Sequence, residues 1–346
     1  MQMTFRWFGP NDPIPLAHVR QIPGVRGVVS ALYDVAVGDV WPRDGLSRLA
    51  DTVDAAGLEL AVIESIPVHE DIKLGRPTRD RLIAHYCESV RHMGETGVRV
   101  LCYNFMPVFD WMRTDLALTL ADGSTALAYD DDALSRIDLS RGTGDLPGWA
   151  TAYTAAELGA LLAAYRDVSE ERLWENLAYF LERVVPVAEE YKVKMGCHPQ
   201  DPGVPKGSGW RGVDAVLGSP DGLKKFVSIK ESPYHGLNFC QGTVSEQLEK
   251  PGEQIFDVIR YLGSRKKIFS VHFRNIEGGF LNFRETFIDN GSVDMLKAMR
   301  VYKEVGYDGM LMPDHVPQME GVDSAQGFAF AFGYIKALIA AVSAET

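Results

Sequence analysis

The stretches KVKMGCH (192–198), GLNFC (236–240), IFSVHF (268–273) and GMLMPDH (309–315) are four successive short apolar runs. Each carries a residue able to bind a metal at or near its C-terminal end: His198, Cys240, His272 and Asp314. Their separations of 42, 32 and 42 residues are far too wide for a zinc finger. They suit one residue per strand–helix unit of a parallel barrel, in which the strand ends converge on one face. A donor set of two imidazoles, one thiolate and one carboxylate suits a divalent transition metal, whereas Mg²⁺ and Ca²⁺ prefer oxygen alone. Taken singly, each residue has a plainer reading: a hydrogen-bonded loop histidine, a core thiol, or an N-cap aspartate. Their equivalent positions on four consecutive strands favour the metal.

Outward from these runs, strand-like and helix-like segments alternate along the whole chain. Four more strands are expected at 4–8, 27–32, 59–64 and 98–104, which makes eight. Helical periodicity is expected over 15–21, 43–56, 78–96, 169–191, 219–230, 251–263, 292–305 and 325–342. Thr78 and Ser169 are the expected N-caps of two of these helices. Eight strand–helix units predict a single (β/α)8 TIM barrel, one α/β domain over 1–346. No GxGxxG follows the first strand and no GxxxxGK[ST] occurs, which weighs against dinucleotide and P-loop sites. One region breaks the rhythm, at about 105–155 after the fourth strand. It contains DDD (130–132), RGTGD (141–145) and PGW (147–149). A stretch of that length inside a compact domain is usually functional or disordered. Phe109, Trp111 and Trp149 would anchor it as an ordered cap over the barrel mouth.

Composition narrows the function classes. The chain has 346 residues, 46% apolar and 24% charged, enough for a substantial core. Its net charge of −12 and lack of any Lys/Arg-rich run argue against nucleic acid as a partner. Cys87, Cys102, Cys197 and Cys240 are too few and too scattered for a disulfide framework. MQMTFRWFG does not read as a signal peptide, and no apolar run is long enough to predict a membrane span. A cytoplasmic enzyme is the expectation.

Other polar residues fall at the same strand ends: Arg6 and Trp7, Glu64, Tyr103 and Asn104, Arg274 and Asn275, and His315. They are candidate substrate-binding residues, with His315 the candidate acid or base beside the metal. An arginine fork suits a substrate carboxylate. For Arg6 and Glu64 an ion pair inside the barrel is an equal expectation. A closed tetrahedral site would be structural, whereas an octahedral ion would keep positions open for a chelating substrate. The barrel mouth favours the second.

The stretches TFRWFGPNDPIPLAHVRQIPGVRGVVSALYDVAVGDVWP (4–42), VIESIPVHEDIKLG (62–75) and CYNFMPVFDWMRTDL (102–116) closely resemble the mannonate dehydratase family. So do LWENLAYFLERVVPVAEEYKVKMGCHPQDP (173–202), GLNFCQGT (236–243), VHFRN (271–275) and PDH (313–315). The resemblance implies a xylose-isomerase-like barrel holding Mn²⁺ or Fe²⁺ on His198, Cys240, His272 and Asp314. It implies dehydration of D-mannonate to 2-keto-3-deoxy-D-gluconate, with His315 taking one proton transfer. Several family positions differ. Gln200 stands for an acid, Arg284 for a histidine before Glu285, and Met312 and Val316 flank PDH. Phe328 stands where a catalytic tyrosine is expected, and the Gly333–Tyr334 pair falls within the closing helix. Arg284 joins Arg274 as a candidate holder of the substrate carboxylate. These differences leave two alternatives: a sugar or sugar-acid isomerase or epimerase (or a dehydratase for another aldonate), and a non-catalytic sugar-acid binder. A dimer or tetramer is the fold-level expectation for assembly.

Overall fold

Eight parallel strands close on themselves in the computed structural model, which describes residues 1–136, 154–205, 209–210 and 212–345. The barrel runs β1 (Gln2–Arg6), β2 (Val25–Ser30), β3 (Glu59–Glu64), β4 (Val100–Tyr103), β7 (Lys194–Cys197), β8 (His235–Cys240), β9 (Ile268–His272) and β12 (Met310–Met312). β12 pairs with β1 to complete the ring. All eight expected strands form, although β1 and β2 each begin two residues earlier than the apolar pattern suggested. The remaining strands, β5 (Asp115–Thr119), β6 (Thr125–Asp130), β10 (Ile276–Gly279) and β11 (Asn282–Glu285), build a separate antiparallel sheet in the order β10-β11-β6-β5.

The helices that cover the barrel are α1 (Leu16–Gln21), α2 (Arg43–Ala55), α4 (Arg79–Glu95), α7 (Glu170–Tyr191), α8 (Pro220–Ile229), α10 (Pro251–Ser264), α11 (Met295–Glu304) and α12 (Ala325–Ala344). Shorter helices α3 (Glu70–Lys73), α5 (Asp131–Arg136), α6 (Ala155–Tyr165) and α9 (Gln241–Glu246) lie in the connections. α7 shows why the sequence folds this way. The Ser169 hydroxyl accepts from the Arg172 N–H and satisfies one free donor of the first turn. Leu173, Leu177, Phe180, Leu181 and Val184 then recur on one face, and all five are fully buried. Thr78 begins α4 as expected but does not cap it. Its hydroxyl bonds to the Asp71 carboxylate instead. α12 has the length and composition of a membrane span, the one such helix among the described residues. Its Ala331, Phe332, Ile335, Leu338 and Val342 are buried, and Phe332 stacks on Phe5 of β1.

The inserted segment is not an irregular loop where it is described. β5 and β6 form a hairpin, and β6 pairs with the β10–β11 hairpin that follows β9. Phe283 faces Tyr129 across this junction, and their rings stack at 5.7 Å. Gln318, just past β12, bridges to Thr125. The insertion is thus stitched to the connections after β9 and β12. Trp149 lies outside the described residues. Phe109 packs edge-on against Trp210, at 4.9 Å.

Candidate metal centre and cavity

Strand register brings the metal-binding candidates together. Cys240 of β8 sits opposite His272 of β9, and His272 opposite Met312 of β12. Residues on one strand that share a face are two apart, so the inward side at the strand ends is set by this ladder. His198, one residue past β7, is held in line by its N–H bond to the Tyr103 carbonyl. One donor atom from each of His198, Cys240 and His272 lies within 4.8 Å of the other two. Asp314 falls outside that mutual set but joins it through His272, with Oδ2 3.3 Å from His272 Nδ1.

The ring nitrogens are sorted by their partners. His198 Nδ1 is 2.7 Å from the Pro199 carbonyl, so it carries the proton and Nε2 is left for the cluster. His272 Nε2 lies 3.2 Å from Glu64 Oε2 and 3.0 Å from the Asn238 amide. Its buried Nδ1 faces the Asp314 carboxylate but makes no well-aligned hydrogen bond among the described residues. The Cys240 sulfur accepts from the Thr243 hydroxyl at 3.0 Å and the Thr243 N–H at 3.4 Å. Burial opposes ionisation of this thiol, yet Arg274 and the two histidines hold it well below the usual cysteine range. A buried ring nitrogen without an aligned hydrogen bond, beside a thiolate, a second imidazole and a carboxylate, fits a divalent transition metal.

A cavity of about 180 Å³ opens beside this cluster. Arg6, Glu64, Cys102, His272, Asp314 and His315 line its barrel side, and Asp110, Trp111 and Leu127 come from the insertion. Arg6 bonds Glu64 at 2.7 Å and approaches Asp314 at 3.7 Å, so the expected ion pair and the cavity lining are both present. Burial works against ionising Glu64, but Arg6 and His272 bring it down to about 2. Burial raises the Asp110 carboxyl.

The sequence named several adjacent pairs, and a strand directs only one of each pair inward. Arg6 lines the cavity, whereas Trp7 is buried in the hydrophobic core. Asn104 lines it, whereas Tyr103 turns outward onto Phe180 of α7. Arg274 meets the acids around the site, whereas Asn275 braces the chain by donating to the Ile288 and Val293 carbonyls. Asp314 and His315 escape the rule. Asp314 has φ +61°, and this left-handed turn lets both adjacent side chains line the cavity. Arg284 is on the outer side of β11, half-exposed and paired with Glu277 at 2.7 Å. The other positions that differ from the family pattern also lie off the cavity wall. Met312 is in the barrel interior, and Phe328 packs on Phe5 at 5.2 Å.

Beside the cavity lies a buried charge cluster that the sequence did not reveal. Arg113 and Arg274 meet Asp201, Glu246 and Glu285, all nearly inaccessible to solvent. Arg274 donates to Glu246 at 2.8 Å and to Asp201 at 3.3 Å, so its fork is occupied by protein acids. Glu285 brackets His315 Nδ1 at 2.9 and 3.0 Å. Burial resists its ionisation, but His315 and the two arginines hold it at about 2.

The profile of the D-mannonate dehydratase (UxuA) family matches residues 1–345. A mannonate dehydratase of Streptococcus uberis is 42% identical over 331 residues, 95% of this chain and 93% of that protein. The crystal structure of mannonate dehydratase from Streptococcus suis serotype 2 is similar with a TM-score of 0.88 and 37% identity, covering 99% of this chain and 95% of that one. A xylose isomerase domain protein from Alicyclobacillus acidocaldarius, at 15% identity and a TM-score of 0.61 over 99% of both chains, shares the fold alone.

Proposed function

The chain belongs to the D-mannonate dehydratase family, and from that premise we propose that it dehydrates D-mannonate to 2-keto-3-deoxy-D-gluconate. The observation that carries the reading is the His198–Cys240–His272 cluster, with His272 Nδ1 turned to Asp314 without an aligned hydrogen bond, opening on a cavity lined by acids and His315. His198, Cys240, His272 and Asp314 would hold the metal, with Mn²⁺ or Fe²⁺ matching the donor set. Bound there, such an ion supplies Lewis-acid polarisation of the carboxylate end of an α-hydroxy acid.

The chain's own residues supply the rest. Dehydration removes the proton at carbon 2 and expels the hydroxyl at carbon 3, so one group must take a proton and another must give one. His315 lines the cavity and is fixed by Glu285, which suits it to one of these transfers. Asp110, whose carboxyl pKa is raised by burial, lines the same cavity as a candidate for the other transfer. Arg6 offers positive charge to the substrate's anionic end. The insertion, through Trp111 and Leu127, would close the cavity from above and limit water. Four free thiols suit a reducing, cytoplasmic compartment.

The test is turnover of D-mannonate by the Mn²⁺- or Fe²⁺-reconstituted chain, with His315→Ala beside it. A 2-keto-3-deoxy acid should form, and the variant should lose at least about 100-fold in kcat. Deuterium exchange into the substrate without that product would replace dehydration by isomerisation or epimerisation. Binding with neither exchange nor product would leave a sugar-acid-binding protein.

A further inference from the structure

Arg113 stands at the foot of the insertion, just before β5, and is completely buried. Its guanidinium uses every edge on an acid. Nη1 donates to Asp201, Nη2 to Glu246 at 3.2 Å, and Nη2 and Nε to Glu285 at 2.7 and 3.2 Å. The acids come from three separate places: the loop after β7, helix α9 and strand β11. Ion clusters this deep are weak stabilisers, because the desolvation of each charge offsets most of the attraction. What such a cluster does supply is fixed geometry. Oε1 of Glu285, which accepts from Arg113, is also 2.9 Å from His315 Nδ1. Arg274 is a looser partner for that carboxylate, at 3.6 Å. Without Arg113, three buried acids would share the single remaining guanidinium. The one facing His315 would lose its short contact.

We propose that Arg113 is a positioning residue for proton transfer at His315. It anchors the insertion to the barrel and sets Glu285 to accept from Nδ1, so that Nε2, 3.6 Å from Asp314 Oδ2, is the nitrogen turned to the cavity. The inference rests on the role given to His315 above. It explains why a segment outside the barrel reaches in with a charged side chain: Trp111, which lines the cavity, and Arg113, which fixes Glu285, belong to the same short stretch. Lysine cannot take this place fully, since a single ammonium lacks the planar fork that bridges three carboxylates.

The experiment is a double-mutant cycle on the metal-loaded protein, using Arg113→Met and His315→Ala singly and together. Arg113→Met should lower kcat roughly 100-fold, as a misplaced catalytic group does. KM should change less than about 3-fold, and metal content should stay at the wild-type value. With His315 already replaced, the second substitution should cost less than about 2-fold. Arg113→Lys should recover part of the loss. An equal loss in both backgrounds would overturn the proposal, as would a loss confined to KM or caused by missing metal. If Arg113→Met does not fold, Glu285→Gln, which keeps the side-chain shape, should show the same dependence on His315. A second readout does not need turnover. In ¹⁵N-histidine protein loaded with Zn²⁺, the His315 ring, identified by its absence in His315→Ala, should carry its proton on Nδ1. Arg113→Met should abolish that preference, and an unchanged ring spectrum would refute the proposal even if D-mannonate were not the substrate. Failure of the wild type on D-mannonate, with the ring signal as expected, would sink the reaction and leave the positioning intact.

Discussion

His235 offers a prediction whose size follows from its surroundings. It begins β8 at the end of the barrel remote from the metal cluster and is wholly inaccessible. Nε2–H donates to the Phe226 carbonyl at 2.9 Å, the ring lies 4.4 Å from that of Phe226, and Nδ1 has no hydrogen-bond partner among the described residues. Protonating Nδ1 would bury an unsolvated charge. Burial, helped by nearby Lys267, therefore lowers the pKa from 6.5 to about 4. With the folded value depressed, the unfolded chain binds this proton first as pH falls. The stabilising contribution is complete above pH 6.5 and is lost progressively down to about pH 4. The total is about 3 kcal/mol, of which about 2 kcal/mol is gone at pH 5. His235→Gln keeps a donor for the Phe226 carbonyl and removes the titration. Urea unfolding of both proteins at pH 7.5 and pH 5 isolates the term, because every other group titrates equally in each. The stability difference between them should shift by about 2 kcal/mol in favour of the variant at pH 5. A difference independent of pH would refute the reasoning.

Three further outcomes follow from burial and pairing. Phe180→Ala removes a fully buried ring packed against Tyr86, Tyr103 and Phe105, and should cost about 3–5 kcal/mol in urea unfolding. Cys240→Ser replaces the only sulfur in the cluster and should weaken metal retention against a chelator by more than about 100-fold. Wild-type retention would remove Cys240 from the ligand set. Arg284→Ala should leave KM for D-mannonate within about 2-fold and stability within about 1 kcal/mol, because Arg284 is half-exposed and paired to surface Glu277. A large rise in KM would return it to the substrate site.

The barrel was legible because its strands are continuous apolar runs covered by helices on a 3.6-residue period, and both patterns are local. The metal-binding candidates were legible for the same reason: each closes a run. Which neighbour faces inward was not. The pairs Arg6/Trp7, Tyr103/Asn104 and Arg274/Asn275 carry no sign of strand phase at their ends, and register with the adjacent strand decides it. The antiparallel sheet was also hidden, since β6 finds its partner β11 about 150 residues further along. Arg113, Glu246 and Glu285 read as ordinary surface charges until the fold buries them together. Asp201, directly after HPQ, had a faint signal in its closeness to His198. Asp314 is the instructive case. Nothing in PDH announces a left-handed residue, yet that single turn puts both Asp314 and His315 on the cavity.

X-ray absorption at the metal edge of the Mn²⁺- or Fe²⁺-loaded protein tests the central claim most directly, because it reads the donor atoms themselves. The four strand-end residues predict one sulfur and two imidazoles around each ion, with oxygen completing the shell and the sulfur lost in Cys240→Ser. A shell of oxygen alone, or one unchanged by that substitution, would contradict it.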